Sequence, residues 1–145
     1  MSNETNKAIV RRMVDQVMND GRTDLVEEFF TEDLATLMVG WQPSTGSQAL
    51  KQYVTMIHHA YPDFQLSIDD ALAEGDKVAI RWTMNGTYDG EMLGFLATGK
   101  QIRHSGTTFF GLANGRIAET WFLADNLGLM QQLGAFPEPQ TAREL

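Results

Sequence analysis

The sequence lacks cysteine, has few cationic residues and contains no long apolar run. Without cysteine the chain can form no disulfide, thiolate nucleophile, iron–sulfur cluster or cysteine-ligated zinc site. The sequence has 11 Lys and Arg but 19 Asp and Glu, which gives a net charge of -8. This charge disfavours binding to nucleic acids or anionic membranes. No apolar run approaches the roughly 18 residues of a membrane-spanning helix, and no apolar segment follows residues 1–6. We therefore expect a cytoplasmic protein that is not exported.

The overall composition is typical of one globular domain. The 145 residues are 43% hydrophobic and 21% charged, which supplies both a core and a solvated surface. Neither a repeat nor a linker interrupts the chain, so we predict a single domain over residues 1–145. Pro137 and Pro139 lie in a polar tail, and we expect residues 135–145 to be loosely ordered.

Apolar residues recur at helical spacing in the first part of the chain. They predict helices over residues 8–18 and 47–61. Between these, a short helix is expected to begin at Thr23 or Asp24, capped by that side chain, and to reach Phe30.

The second half of the chain changes to the alternating pattern of strands. After a brief strand over 35–41, the segment from Asp63 onward predicts four antiparallel strands and a last helix over 126–133. Because such helices segregate to one side of an antiparallel sheet, the predicted fold class is α+β.

This order of elements is accompanied by five local strings of residues. They are IVRRMV at 9–14, GRTD at 21–24, GEMLG at 90–94 with TGK at 98–100, NGRIAETW at 114–121 and DNLGLMQQLG at 125–134. The layout and the strings resemble the SnoaL-like polyketide cyclase family, within the nuclear-transport-factor-2-like superfamily. The resemblance covers nearly the whole chain.

The resemblance implies a cone-shaped fold, in which a curved sheet wraps against N-terminal helices and a short helix ends the chain. It also implies an apolar cavity in the concave side and a homodimer formed through the sheet. The cyclases of this family close a polyketide ring by intramolecular aldol condensation without a metal or an organic cofactor. The resemblance therefore implies that the ligand is a small hydrophobic carbonyl compound and that no cofactor is needed.

Aligning the last hairpin with the cyclases shows where this sequence differs. The reactive Asp of the cyclases falls at Phe122 and their partnering His at Thr108, while many relatives carry His at the position of Tyr88. We expect these three residues, together with Thr120 and Trp82, to contact the ligand.

His104 is the predicted acid–base residue, since His titrates near neutrality. If Asn114-Gly115 form a two-residue turn, His104 faces Asp125, with Cβ atoms about 4.5 to 5.5 Å apart. If the loop has three residues and a bulge, His104 faces Ala124 and Asp125 points to the other side. The resemblance favours the second register, because positions 108 and 122 share a cavity in the cyclases.

Asp125 has two interpretations. It is either a catalytic carboxylate beside His104 or, more simply, the cap of the last helix. Glu119 and Trp121 alternate with the cavity row, which predicts a place on the convex side and in a dimer interface.

The remaining polar candidates lie outside the last hairpin. His58 is expected near the cavity mouth, as a ligand contact, and His59 on another side of the same helix. Neither has a recognised metal-ligand spacing, so we predict no metal site. Arg81 is expected to pair with Asp69 or Asp70 on a neighbouring strand.

The glycine-rich segment 88–99 differs from the core segments. Its spacing of glycines and its residues Met92, Leu93 and Phe95, which we expect to be exposed, predict a mobile flap over the cavity entrance, or else a packing surface in an oligomer.

Three functions are compatible with these features. The leading one is cofactorless proton transfer on a hydrophobic carbonyl compound: cyclisation, isomerisation or dehydration. The second is non-catalytic binding of an apolar metabolite, suggested by Phe122 and Thr108. The third is an oligomerisation domain without a pocket. No Ser-His-Asp, phosphate-loop or dinucleotide motif indicates hydrolase, kinase or dehydrogenase activity.

Overall fold

The computed structural model describes residues 2–135, which form four α-helices and a six-stranded sheet. Helix α1 spans Asn3–Met13 and begins where Ser2 Oγ accepts a hydrogen bond from the Thr5 N–H at 3.1 Å. It continues as a π-helical segment, Val14–Asn19. The helix predicted over 8–18 is therefore present, and it starts earlier than predicted.

The second predicted helix consists of a 3₁₀ turn, Thr23–Leu25, and helix α2, Val26–Phe29. Its predicted cap is wrong, because no side chain caps the segment and the Asp24 carboxylate pairs with Arg22 at 2.8 Å instead. Phe30 is already the first residue of the next strand.

Helices α3 and α4 lie close to their predicted positions. Helix α3 spans Ser47–Ala60, with Tyr61 at its C-terminal end before Pro62. Helix α4 spans Asn126–Gln132. The predicted loosely ordered tail, residues 135–145, lies outside the described residues except for Ala135.

The sheet has the strand order β2-β1-β6-β5-β4-β3. All neighbouring strands are antiparallel except β1 and β6, which run parallel, so the sheet is mixed. The α+β class is confirmed, and the parallel pair is the departure from a wholly antiparallel sheet. The strands are β1 Phe30–Met38, β2 Ser44–Thr45, β3 Gln65–Glu74, β4 Lys77–Thr87, β5 Gln101–Ala113 and β6 Arg116–Ala124.

The hairpin of β5 and β6 has a two-residue turn followed by a bulge. Asn114 and Gly115 adopt φ values of +53° and +80°, and Ala113 faces Arg116 across the turn. The register then shifts at Ala118, which has no partner on β5.

This bulge corrects both predicted registers of His104. Beyond it, Thr108 faces Phe122, so these two residues share one face of the sheet, as the resemblance implied. The Asp125 N–H donates to the Ser105 carbonyl at 2.9 Å, so Ser105 lies beside Asp125. Gly106 faces Ala124, and His104 therefore faces neither Asp125 nor Ala124. The extra residue lies within β6 instead of in the turn, so the inward-facing side chains of β6 change from odd-numbered, at Ile117, to even-numbered, at Thr120 and Phe122.

The two faces of the sheet have different surroundings. Even-numbered residues of β4 point to the inner face, which α1 and α3 cover: Val78, Ile80, Trp82 and Met84 are all buried. Pairing carries this inner face across β5 and the distal part of β6. Odd-numbered residues of β4 point to the outer face. No helix covers this face among residues 2–135. Within the same range no helix is long and apolar enough to cross a membrane.

Candidate functional site

His104 lies on the inner face of β5, opposite Met84 of β4. Its imidazole contacts the indole of Trp82 edge-on, with ring centroids 5.5 Å apart and planes at 81°. The Nε2 atom is buried and has no hydrogen-bond partner among the described residues. Buried polar atoms are nearly always paired, so this nitrogen has an unmet capacity for a hydrogen bond.

The protonation of His104 follows from its burial. Burial lowers the pKa of His104 below its ordinary value of 6.5, against smaller opposing effects of the Asp125 carboxylate and the Asn126 side chain. The imidazole is therefore neutral at pH 7. A neutral imidazole carries a lone pair on one nitrogen and can accept a proton there.

The other residues of the predicted inner row lie beside His104. Trp82 Nε1 donates a hydrogen bond to Thr108 Oγ1 at 2.9 Å, and both side chains are buried. Phe122, opposite Thr108, is partly buried. Thr120 lies two residues further back on β6, and its Oγ1 also lacks a partner among residues 2–135. The structure thus brings these residues to one face.

Asp125 caps helix α4. Its Oδ1 accepts a hydrogen bond from the Gly128 N–H at 2.9 Å. The predicted cap is confirmed. The carboxylate is also near enough to His104 to raise the pKa of the imidazole, so Asp125 affects the site electrostatically while it holds the helix.

The other two predicted ligand contacts have partners within the protein. His58 Nε2 hydrogen-bonds the Met18 carbonyl at 2.7 Å and thereby ties α3 to the π-helical segment. The Tyr88 hydroxyl accepts from the Met92 N–H at 2.9 Å and donates to the carbonyls of Met92 and Phe95. These bonds favour a structural role for both side chains.

The segment 88–99 is attached to the body of the protein through Tyr88. The predicted exposure is wrong for Met92, which is buried like Tyr88, and for Phe95, which is partly buried against the core. Leu93 and Leu96 are exposed, at 46% and 76% of their surface. The Tyr88 hydroxyl bonds explain this division, because they draw residue 92 inward.

Sequence reasoning missed one polar group of the inner face. Tyr61 belongs to the apolar stripe of α3 in the sequence, yet its buried hydroxyl has no partner among residues 2–135. Burial raises the pKa of Tyr61 to about 12, with a further contribution from Tyr88 and Tyr53. The only sequence signal is a hydroxyl-bearing residue in an apolar stripe.

Two surface pockets lie away from His104. One, of about 430 Å³, is lined by residues of β1 and the start of α3, with Arg116. The other, of about 160 Å³, lies where β3, β4 and β5 meet near Gly86. No group of three or more metal-ligating side chains occurs within residues 2–135.

The outer face carries a continuous apolar row across five strands. Paired neighbours join Leu72, Ala79, Phe109, Trp121 and Leu37 in that order. The rings of Phe109 and Trp121 stack at 5.6 Å. Leu72 is 70% exposed and Phe109 47%. We call these five residues the apolar row.

Ion pairs border the apolar row. Arg81 pairs with Asp69 at 3.7 Å, as predicted, and Lys77 pairs with Glu119. An exposed apolar patch with a polar rim is typical of an interaction surface.

The sequence matches the model of a known protein family. Residues 8–133 match the sequence model described as SnoaL-like polyketide cyclase. A search of the curated proteins finds no match.

Similar solved structures share the whole fold. A candidate SnoaL-like polyketide cyclase from Jannaschia sp. CCS1 is 24% identical, with 93% of this chain and 95% of that chain covered and a TM-score of 0.85. A candidate polyketide cyclase from Acidithiobacillus ferrooxidans is 27% identical, with 90% and 94% covered and a TM-score of 0.81. AclR, a candidate hydroxylase from Streptomyces galilaeus, is 23% identical, with 99% and 89% covered and a TM-score of 0.87. Because different activities are attached to one fold, the fold alone does not assign a reaction.

Proposed function

Because the chain belongs to the SnoaL-like polyketide cyclase family, we propose that it catalyses cofactorless proton transfer on a hydrophobic carbonyl compound. The ligand would lie in an apolar cavity between helix α3 and the inner face of the sheet. One observation carries the proposal: the buried Nε2 atom of His104 has no partner among the described residues.

His104 would act as the general base. In the tautomer that carries its proton on Nδ1, the imidazole offers the Nε2 lone pair to an acidic C–H beside a carbonyl. The electron pair of that C–H bond then forms the enolate. In a cyclisation the enolate carbon attacks a second carbonyl of the same molecule, and His104 returns its proton to the new alkoxide oxygen.

The inner row would hold the ligand. Trp82 and Phe122 offer apolar surface, and the Trp82 Nε1–H fixes the hydroxyl of Thr108. Phe122 stands where the cyclases carry their reactive Asp, so the base must come from another position. His104 is the titratable inner-face residue of β5 and supplies it.

The experiment follows proton removal directly. Exchange of the α-protons of β-tetralone in D₂O is monitored by NMR with wild type, His104→Gln and the matched control His59→Gln, whose side chain is exposed on α3. We expect His104→Gln to lose roughly 100-fold or more of the exchange rate, as for loss of a general base. Equal rates for wild type and His104→Gln would refute the proposal.

A second candidate function is binding without turnover. It is favoured by Phe122 and Thr108, which replace the reactive pair of the cyclases with groups that do not titrate near neutrality. In that case the protein would retain an apolar ligand, and no variant would change the exchange rate.

We also propose a homodimer formed by two apolar rows facing each other, in a cytoplasmic protein. Two copies of one apolar, ion-pair-bordered surface can bury each other with two-fold symmetry. The uncovered outer face and the stacked rings of Phe109 and Trp121 support this assembly.

A further inference from the structure

Tyr61 carries an unpaired hydroxyl at the end of α3. The side chain is only 2% exposed, and its oxygen has no hydrogen-bond partner among residues 2–135. Tyr88, whose ring centroid lies 5.7 Å away, has its hydroxyl fully engaged with the backbone at residues 92 and 95. Two neighbouring buried tyrosines therefore differ in what their hydroxyls do.

Contacts place Tyr61 on the same face as His104. A Cβ atom added to Gly86 would lie 2.9 Å from Tyr61 Cβ, so the tyrosine packs directly on the inner face of β4. Gly86 lies two residues beyond Met84, which faces His104. At the rise of a strand, this spacing is about 7 Å. A ligand that contacts His104 and extends along β4 towards Gly86 would therefore reach Tyr61.

The chemistry of this hydroxyl is that of a donor. Burial raises the pKa of Tyr61 to about 12, so the oxygen keeps its proton at neutral pH. A buried hydroxyl without a partner destabilises the folded protein, and a ligand oxygen would satisfy it.

We infer that the Tyr61 hydroxyl donates a hydrogen bond to the carbonyl oxygen of the ligand while His104 removes the neighbouring proton. This inference rests on the proposed function. As the C–H electron pair moves into the new carbon–carbon double bond, the carbonyl oxygen gains negative charge. The hydrogen bond from Tyr61 strengthens at that point, and the tyrosine proton is not transferred.

The first test is Tyr61→Phe in the full chain, which keeps the ring on Gly86 and removes only the hydroxyl. We expect α-proton exchange of β-tetralone to fall roughly 100-fold, the loss typical of removing one donor to an enolate-like oxygen. We expect Tm to stay equal or to rise. Tyr88→Phe is the structural comparison, and its Tm should fall because three hydrogen bonds are lost. A lower Tm for Tyr61→Phe with unchanged exchange would overturn the inference.

The second test separates Tyr61 from the proposed reaction. β-Naphthol carries its oxygen on a fused ring, as the enolate of β-tetralone does, and its binding is followed by fluorescence. We expect Tyr61→Phe to bind it about tenfold more weakly and His59→Gln to bind it like wild type.

The outcomes of the two tests are distinguishable. Binding that depends on Tyr61, without exchange by wild type, would refute the reaction and support the oxygen site. Exchange that depends on His104 but not on Tyr61 would refute the inference and leave the reaction standing. Absence of naphthol binding by wild type would also count against the inference.

Discussion

The lowered pKa of His104 predicts a pH dependence of stability. Between the folded pKa and the unfolded value of 6.5, the unfolded chain holds a proton that the folded chain does not. The free energy of unfolding should therefore fall as pH decreases from about 6.5 and level off below the folded pKa. Urea unfolding of wild type, His104→Gln and His59→Gln from about pH 5 to 7.5 measures this contribution. It should be absent in His104→Gln and present in His59→Gln; identical curves for wild type and His104→Gln would contradict it.

Sequence reasoning located two of the three unpaired inner-face groups, His104 and Thr120, and missed Tyr61. Alternation along β5 is sufficient to direct His104 to the inner face, since side-chain direction in a strand has a period of two. The unpaired hydroxyl of Tyr61 depends on its packing against Gly86 and Tyr88. Those contacts come from distant parts of the chain, so periodicity alone reads Tyr61 as one more apolar residue of α3.

Two variants of Asp125 separate its cap of helix α4 from its charge beside His104. Asp125→Ala removes the acceptor of the Gly128 N–H and should lower the free energy of unfolding by about 1 kcal/mol. Asp125→Asn keeps an acceptor oxygen and should lose less. Urea denaturation of the three proteins measures both values. Equal losses in the two variants would show that the negative charge, and not the cap, is what stabilises the helix.

Only part of the hairpin of β5 and β6 can be predicted from the sequence. The Asn114-Gly115 turn is encoded locally, by residues that tolerate positive φ, and the inward direction of Thr108 follows from the two-residue period of β5. The bulge at Ala118 is not encoded by a local motif. It reverses the phase of the inward-facing residues between Ile117 and Thr120, and residues of mixed polarity around Ala118 do not mark where that change occurs. The same holds for the pairing of β1 with β6, which joins segments far apart in the chain.

For the molecule as a whole, the apolar row predicts an assembly that one charge can disrupt. Phe109→Glu places a carboxylate in the middle of the row, so the proposed dimer should dissociate. Analytical ultracentrifugation should give twice the chain mass for wild type and for Leu96→Glu, a control at an exposed leucine of segment 88–99, and a single chain mass for Phe109→Glu. Circular dichroism checks that the variants are folded. A monomeric wild type would rule out this interface.

The parallel pairing of β1 with β6 also sets the order in which the protein can be completed during synthesis. Strands β3 to β6 are neighbours in the chain and can pair as each leaves the ribosome, whereas residue 30 must wait for residue 117. Contacts between distant segments form slowly, because a long loop must close before they gain anything. The nascent chain therefore carries β1 with only the short strand β2 beside it through most of translation, and the inner face is completed only when β6 is synthesised.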